Sequence, residues 1–176
     1  CFGDTALFFA HETAPGGKVV SFEFIPSNVE VYRKNLSLNP ELAGRVALVE
    51  QPLWETAGTR LFYKDSGPAS EVAFEPFAGA GSQATTTSID EAVEKQNLEK
   101  VDFIKMDVEG AELPVLKGAA KTLKRFKPKL ALSAYHRPDD FRRIPEFIKS
   151  VFPGYRLYLG HYSIHREETV LYALHE

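Results

Sequence analysis

Residues 101–118 constrain the fold of this 176-residue chain more than any other stretch; they read Val-Asp-Phe-Ile-Lys-Met-Asp-Val-Glu-Gly-Ala-Glu-Leu-Pro-Val-Leu-Lys-Gly. Val101, Phe103, Ile104, Met106 and Val108 make an apolar run of the length expected for a buried parallel strand. Gly110 then supplies a turn, and Pro114 is tolerated only in a first helical turn, so the stretch predicts a strand passing into a helix carried on by Leu113, Leu116 and Lys117. Asp107, Glu109 and Glu112 thereby cluster at the carboxyl edge of a strand, where open α/β sheets bind ligands. The macrodipole and the free backbone N–H groups of a helix start account for Glu109 and Glu112 without any ligand. They account less well for Asp107, because Asp disfavours strands. By strand alternation Asp107 shares a face with Lys105, a pair that is either structural or part of an active site.

The rest of the chain reads as one domain of residues 1–176 with strands and helices in alternation and no internal repeat. Ala6, Leu7, Phe9 and Ala10 mark the inner face of a first helix, which Gly16-Gly17 ends. Strands follow at residues 18–24 and 45–51, separated by a helix that Pro26 opens and that runs to about Asn39. Residues 61–64 and 71–75 flank Asp65-Ser66-Gly67-Pro68 as a β-hairpin. Residues 76–87, rich in Gly, Ala, Ser and Thr, are expected to form a loop able to cover a site. Gly79-Ala80-Gly81 within it is no phosphate loop, since no strand leads in and no Lys-Ser/Thr follows. Ser88 with Glu91 makes a capping box. After the central stretch one helix is expected to reach about Phe126, and a strand at 130–135 ends in Tyr135-His136-Arg137-Pro138. The helix at 139–152 presents Phe141, Ile144, Phe147, Ile148 and Val151 on one face. Strands at 155–159 and 169–174 are joined too closely for a helical crossover and are expected to be antiparallel.

Several function classes lose support at this level. A net charge of −3 gives no electrostatic footprint for nucleic acid, and the basic run Lys121 to Lys129 reads as the solvated end of a helix. The single cysteine, Cys1, permits neither a disulfide framework nor a thiolate metal site. No apolar run is long enough to span a membrane, no signal peptide is visible, and a cytoplasmic location is the expectation.

Ile-Lys-Met-Asp-Val-Glu-Gly-Ala-Glu followed by Val-Leu-Lys-Gly-Ala resembles the signature of FkbM-type methyltransferases. Gly3-Asp4-Thr5, Ser21-Phe22-Glu23, Asn35 to Asn39, Ser88-Ile89-Asp90, Ser133 to His136 and Tyr158 to Ser163 match in order. The resemblance covers essentially the whole chain. It implies a Rossmann-like class I methyltransferase sandwich, a mostly parallel sheet closed by an antiparallel C-terminal hairpin, and S-adenosyl-L-methionine as cofactor. It also implies a strand before Cys1 ending in an Asp-x-Gly turn; only Gly3-Asp4 of that turn is present, so the family's first strand is expected to be absent. The expected reaction is O-methylation of a hydroxyl on a sugar or secondary metabolite, with a small-molecule or glycan acceptor.

The resemblance implies that Gly3, Asp4 and Thr5 lie at the cofactor, and that Pro52 and Leu53 lie beside its adenine. Glu23 and Phe24 end the second family strand, where an acid hydrogen-bonds ribose hydroxyls. For transfer, Asp107 and His136 end strands four and five of the family order, which are neighbours and face one cleft. An imidazole titrates near neutrality and suits a general base; Asp107 or Glu109 then orients it or favours the sulfonium electrostatically. His161 is the second candidate, with Tyr135 and Tyr162 as acceptor-lining residues, while His165 and His175 read as surface histidines. A divalent ion on Asp107, Glu109, His136, Asp139 and Asp140 is the rival mechanism. No tight ligand spacing supports it, and no metal is expected. A non-catalytic ligand-binding or interaction domain, with a degenerate methyltransferase fold, remains the alternative from another function class.

Overall fold

The computed structural model describes residues 2–79, 81–165 and 167–175, so Cys1 and Ala80 lie outside the described residues. The elements alternate as an α/β chain: α1 (Asp4–Glu12), β1 (Val19–Phe22), α2 (Pro26–Ser37), α3 (Pro40–Ala43), β2 (Val46–Val49), β3 (Arg60–Lys64), β4 (Glu71–Ala73) and β5 (Ser82–Thr85). Then come α4 (Ile89–Lys95), β6 (Phe103–Met106), α5 (Glu112–Lys117), α6 (Ala120–Phe126), β7 (Lys129–Ser133), α7 (Asp140–Val151), β8 (Arg156–His161) and β9 (Thr169–Leu174). Hydrogen bonds group these strands into three sheets, and contacts divide the chain into two compact units.

The first unit holds the described residues up to Pro52, with Gly58–Thr86. Its β1 and β2 pair in parallel from Val19↔Val46 to Phe22↔Val49. Pro26 begins α2 where its missing N–H is not needed, and α2 buries Val29 and Tyr32. Gly3, at φ +81°, precedes α1; a Cβ there would lie 2.9 Å from ring atoms of Tyr32, so only glycine lets the chain cross that ring. Residues 76–87 depart from the expected loop: Ser82–Thr85 form β5, antiparallel to β3 and opposite β4. Ser-Gln-Ala-Thr has little strand propensity, but β3 supplies a ready ladder of backbone partners.

The second unit holds Leu53–Ala57 and the described residues from Thr87 onward. Its sheet runs β6-β7-β9-β8, with β6 and β7 parallel and the other pairs antiparallel. Leu116, Leu123, Leu130, Leu132, Ile144 and Ile148 are fully buried in its core. Ile144 and Ile148 pack inward as the helical period requires, but Phe141 on the expected inner face is 50% exposed. It lines a groove of about 240 Å³ with Ala134, Pro145, Leu157, Leu159 and Leu171.

The single helix expected after the central stretch is instead two, α5 and α6, broken at Gly118-Ala119. Gly118 sits against other backbone: a Cβ there would come 2.3 Å from the Trp54 carbonyl oxygen. The break also exposes the first turn of α6 to a cap. Asp90 accepts from Lys121 N at 3.0 Å, Thr122 N at 2.8 Å and Thr122 Oγ1 at 2.6 Å. Ser88 Oγ accepts from Glu91 N at 3.1 Å as the capping box requires, while the Glu91 carboxylate accepts from the Thr87 hydroxyl at 2.6 Å. Gly118→Ala should destabilise the protein by about 1–3 kcal/mol, read from the midpoint of urea unfolding, because backbone rather than a flexible side chain must move. An unchanged midpoint would show that the Trp54 segment yields freely.

Candidate functional site

Parallel pairing puts the carboxyl ends of β6 and β7 on one edge. The register pairs Met106 with Leu132, so Asp107 comes level with Ser133, and His136 follows three residues later. The chain then folds back through Glu109 at φ +53° and Gly110 at φ +88°. A Cβ on Gly110 would lie 3.0 Å from Arg137 Nε and 3.6 Å from His136 Cβ, so the turn passes close over the end of β7. In this way the predicted strand-to-helix stretch brings Asp107, Glu109 and Glu112 around His136.

The imidazole stands between carboxylates. Its Nδ1 lies 2.8 Å from Glu112 Oε1, at ion-pair distance but not aligned as a hydrogen bond. Its Nε2 lies 3.4 Å from Glu109 Oε2 and 3.7 Å from Asp107 Oδ1. The His136 side chain keeps 11% of its exposure, Glu112 none and Glu109 89%. Tyr135 packs beside the imidazole, with ring centroids 4.2 Å apart, and its hydroxyl donates to Asp107 Oδ1 at 3.4 Å. The Lys105 ammonium reaches Asp107 Oδ2 at 3.3 Å, as strand alternation predicts.

These contacts set the ionisation of the acids. Burial opposes the charge on Asp107, but the Ser133 hydroxyl and the Lys105 ammonium, with His136 nearby, hold its carboxyl below the usual range. Burial pushes the Glu112 carboxyl up, against the favourable Val108 N–H bond of 3.0 Å. Burial likewise pushes up Asp140, whose carboxylate accepts from Arg137 N at 3.0 Å. Burial, then the charges of Asp107, Glu168 and Glu109, push the Tyr135 hydroxyl up to about 12.

Other expected residues fall elsewhere. His161 lies in β8 with Nδ1 2.8 Å from Thr169 Oγ1, and Tyr162 is exposed and accepts from the Tyr172 hydroxyl at 3.0 Å. His175 is not a free surface histidine: it is half-buried, with its ring 6.1 Å from Phe152 and 6.0 Å from Tyr155. Asp139 pairs with Arg143 at 2.9 Å. In the first unit Gly3 is buried, while Asp4 and Thr5 are exposed in the first turn of α1. Glu23 Oε1 accepts from Phe24 N at 2.8 Å and Ile25 N at 2.9 Å, and Oε2 accepts from Asn28 Nδ2 at 3.2 Å. The Phe24 ring stacks edge-on against Tyr63. Pro52 is buried; in the second unit Leu53 forms a bridge with Thr87 and packs against the core.

Asp107, Glu112 and His136 are also the acid–histidine group able to hold a cation among the described residues, their ligand atoms lying within 4.8 Å of one another. The nearest approach of Glu112 is to Nδ1 and that of Asp107 to Nε2.

Comparison with known proteins decides the family. The family model described as the methyltransferase FkbM domain matches residues 1–158. The chain belongs to the FkbM methyltransferase family. A curated relative, methyltransferase sdnD of Sordaria araneosa, is 33% identical over 135 residues, covering 59% of this chain and 52% of that protein. The crystal structure of methyltransferase FkbM from Methylobacillus flagellatus KT superposes with a TM-score of 0.72 at 29% identity, over 89% of this chain and 36% of that one. SMU.1697c from Streptococcus mutans, in complex with SAH, shares the fold alone: TM-score 0.55 at 14% identity over 98% of this chain and 83% of that one. This FkbM chain thus spans about half the length of the curated relative it matches. Among its described residues, no helix is long and apolar enough to cross a membrane.

Glu112 is expected at the ligand-binding edge with Asp107 and Glu109, and a helix start also explains it; its complete burial against His136 is what sequence reasoning did not show. The signal was present: Glu112 lies one turn before Leu116 on the buried stripe of α5. In an absorbance titration of this FkbM chain, the wild-type minus Tyr135→Phe difference should place the Tyr135 phenol at about 12. Asp107→Asn should move it down toward the ordinary value of about 10. Ionisation of Tyr135 at that ordinary value in the wild type would remove the carboxylates from its side.

Proposed function

We propose that this FkbM domain is the S-adenosylmethionine-dependent catalytic part of an O-methyltransferase whose acceptor is a hydroxyl of a sugar or other secondary metabolite. The observation that carries the reading is the convergence of Asp107, Glu109 and His136 at the paired ends of β6 and β7, with His136 Nε2 within 4 Å of two carboxylates. Methyltransferase relatives and a fold neighbour solved with SAH support it.

When bound, S-adenosylmethionine supplies an electrophilic methyl group on a sulfonium. The chain must align an acceptor oxygen with that carbon and take up the hydroxyl proton. His136 Nε2 would take up that proton from the acceptor hydroxyl. Asp107 and Glu109 offset the positive charge of the imidazolium. For the cofactor, Glu23 is the ribose acid. A carboxylate offers about four acceptor positions, and three on Glu23 are taken by Phe24 N, Ile25 N and Asn28 Nδ2. One position on Oε2 is left for a hydroxyl, so the residue fits the group while also pinning the start of α2. Gly3, Asp4 and Thr5 at the start of α1, with Phe24, Pro52, Leu53 and Asp107, are the further proposed cofactor residues.

Calorimetric titration with S-adenosylhomocysteine tests the reading. Binding is expected, and Glu23→Ala should weaken it about tenfold or more, the equivalent of about 1.4 kcal/mol for a lost charge-assisted hydrogen bond. His136→Ala should leave that binding intact and lower turnover about 10²–10⁴-fold. Absence of binding by the folded protein would favour a non-catalytic domain. Dialysis against EDTA should leave activity unchanged; loss of activity restored by Mg²⁺ would transfer hydroxyl activation to an ion on Asp107, Glu112 and His136.

A further inference from the structure

Strand β8 closes one side of the second unit's sheet, and its outer edge is unprotected. The backbone bonds reveal which groups face outward. Tyr162 N donates to Glu168 O at 3.1 Å, one step beyond the His161↔Thr169 pair, so the hydrogen-bonded pairs with β9 recur at Gly160, Tyr158 and Arg156. Ala134 N donates to Thr169 O at 2.9 Å, so the alternate residues of β9 serve β7. Leu157, Leu159 and His161 therefore turn their N–H and C=O groups away from β9, along an edge that no other strand of the described residues joins. Neither lysine nor proline interrupts β8, and its register runs unbroken from Arg156↔Leu174 to His161↔Thr169. An edge of this kind is a template for another strand.

The edge is also apolar. Leu157 and Leu159 share one sheet face by alternation and line the groove of about 240 Å³ with Phe141 and Pro145 of α7. Leu159 is 58% exposed and Phe141 50%. Apolar side chains grouped beside unpaired strand backbone mark a protein contact, unlike hydrophobic residues scattered singly. The sequence of β8 suits a second copy of itself. Antiparallel pairing about Leu159 sets Leu157 opposite His161 of the partner subunit and brings the two Leu159 residues together, which uses all three outward residues of each strand. A register shifted by two residues uses only two of them. Arg156 is the sole ionised side chain of β8 at neutral pH. In this register it faces Tyr162 of the partner subunit and stands about 20 Å from the other Arg156, so no like charges are opposed.

We propose that β8 is the surface through which this chain forms a symmetric dimer with a second copy of itself, the two β8 strands pairing antiparallel about Leu159. The pairing joins two four-stranded sheets into one continuous sheet. The Leu159 side chains meet on the two-fold axis beside the grooves that Phe141 lines. Each copy spends the same edge on the contact, so the assembly closes as a pair.

Sedimentation equilibrium of the 176-residue chain is the test. The wild type should sediment at twice 19.7 kDa. Leu159→Lys alters a mostly exposed side chain and should raise the dissociation constant about tenfold or more, because two ammonium groups then meet on the axis. Leu38→Lys, at an exposed leucine after α2, should leave it unchanged. Cross-linking reads the register in a Cys1→Ser background, which removes the single native cysteine. Leu159→Cys should oxidise to a covalent dimer, since residues opposed in a hydrogen-bonded pair lie about 5.5 Å apart at Cα. His161→Cys should not, because its two copies stand about 14 Å apart along the strands. A wild type that stays monomeric at about 100 μM leaves the edge to a different polypeptide and overturns the proposal. So does a dimer that Leu159→Lys leaves intact, or cross-linking of His161→Cys in place of Leu159→Cys. None of these readings depends on methyl transfer.

Discussion

The parallel ladder between β6 and β7 is the interaction on which the candidate site depends. Four register pairs, from Phe103↔Lys129 to Met106↔Leu132, end both strands on the same edge. A slip of one residue would turn Met106 outward and Asp107 inward, because side chains alternate. The register is secured by the core: Met106, Leu130 and Leu132 are buried, and β9 pairs along the far side of β7. Hydrophobic burial thus fixes positions of charged groups that would otherwise repel one another.

The charge arrangement works against stability and has a chemical rationale. Burial raises the carboxyls of Glu112 and Asp140, whereas the more open Asp107 is held ionised by Ser133 and Lys105. For Glu112 and Asp140 the folded state binds protons more tightly than the unfolded one. Their contribution favours folding below the ordinary carboxyl range and declines as pH rises through the raised folded values. Asp107 has the opposite sign: its contribution is present above the ordinary carboxyl value and is lost as pH falls through the lowered folded one. One histidine therefore sits among acids of contrasting ionisation, an arrangement that packing alone does not require.

Much of this was legible in the sequence because it rests on periodicity and short-range chemistry. The strand-to-helix passage at residues 101–118, Pro26 at the start of α2, Ser88 as a cap and the meeting of Asp107 with His136 all follow from local pattern plus strand order. What escaped depends on partners distant in sequence. Residues 82–85 form a strand because β3 offers them an edge, and α5 stops because Gly118 abuts the Trp54 backbone. Phe141 satisfies the helical period yet stays half exposed beside β8 and β9 residues. The burial of Glu112 was not legible, because an acid at a helix start has a sufficient local reason to be there and its neighbour His136 comes from the end of β7.

The place of β9 has a consequence for how the chain acquires its structure. β8 precedes β9 in sequence, yet β9 lies between β7 and β8 and pairs with both. During synthesis, β8 leaves the ribosome with its eventual neighbour still unmade, and β7 holds one open edge until residues 169–174 emerge. The acid–histidine cluster at the end of β7 therefore hangs on a half-built sheet until residues 169–174 are made. Strand β9 then completes its pairings with β7 and β8, so the sheet that carries the cluster closes only once that downstream strand is made.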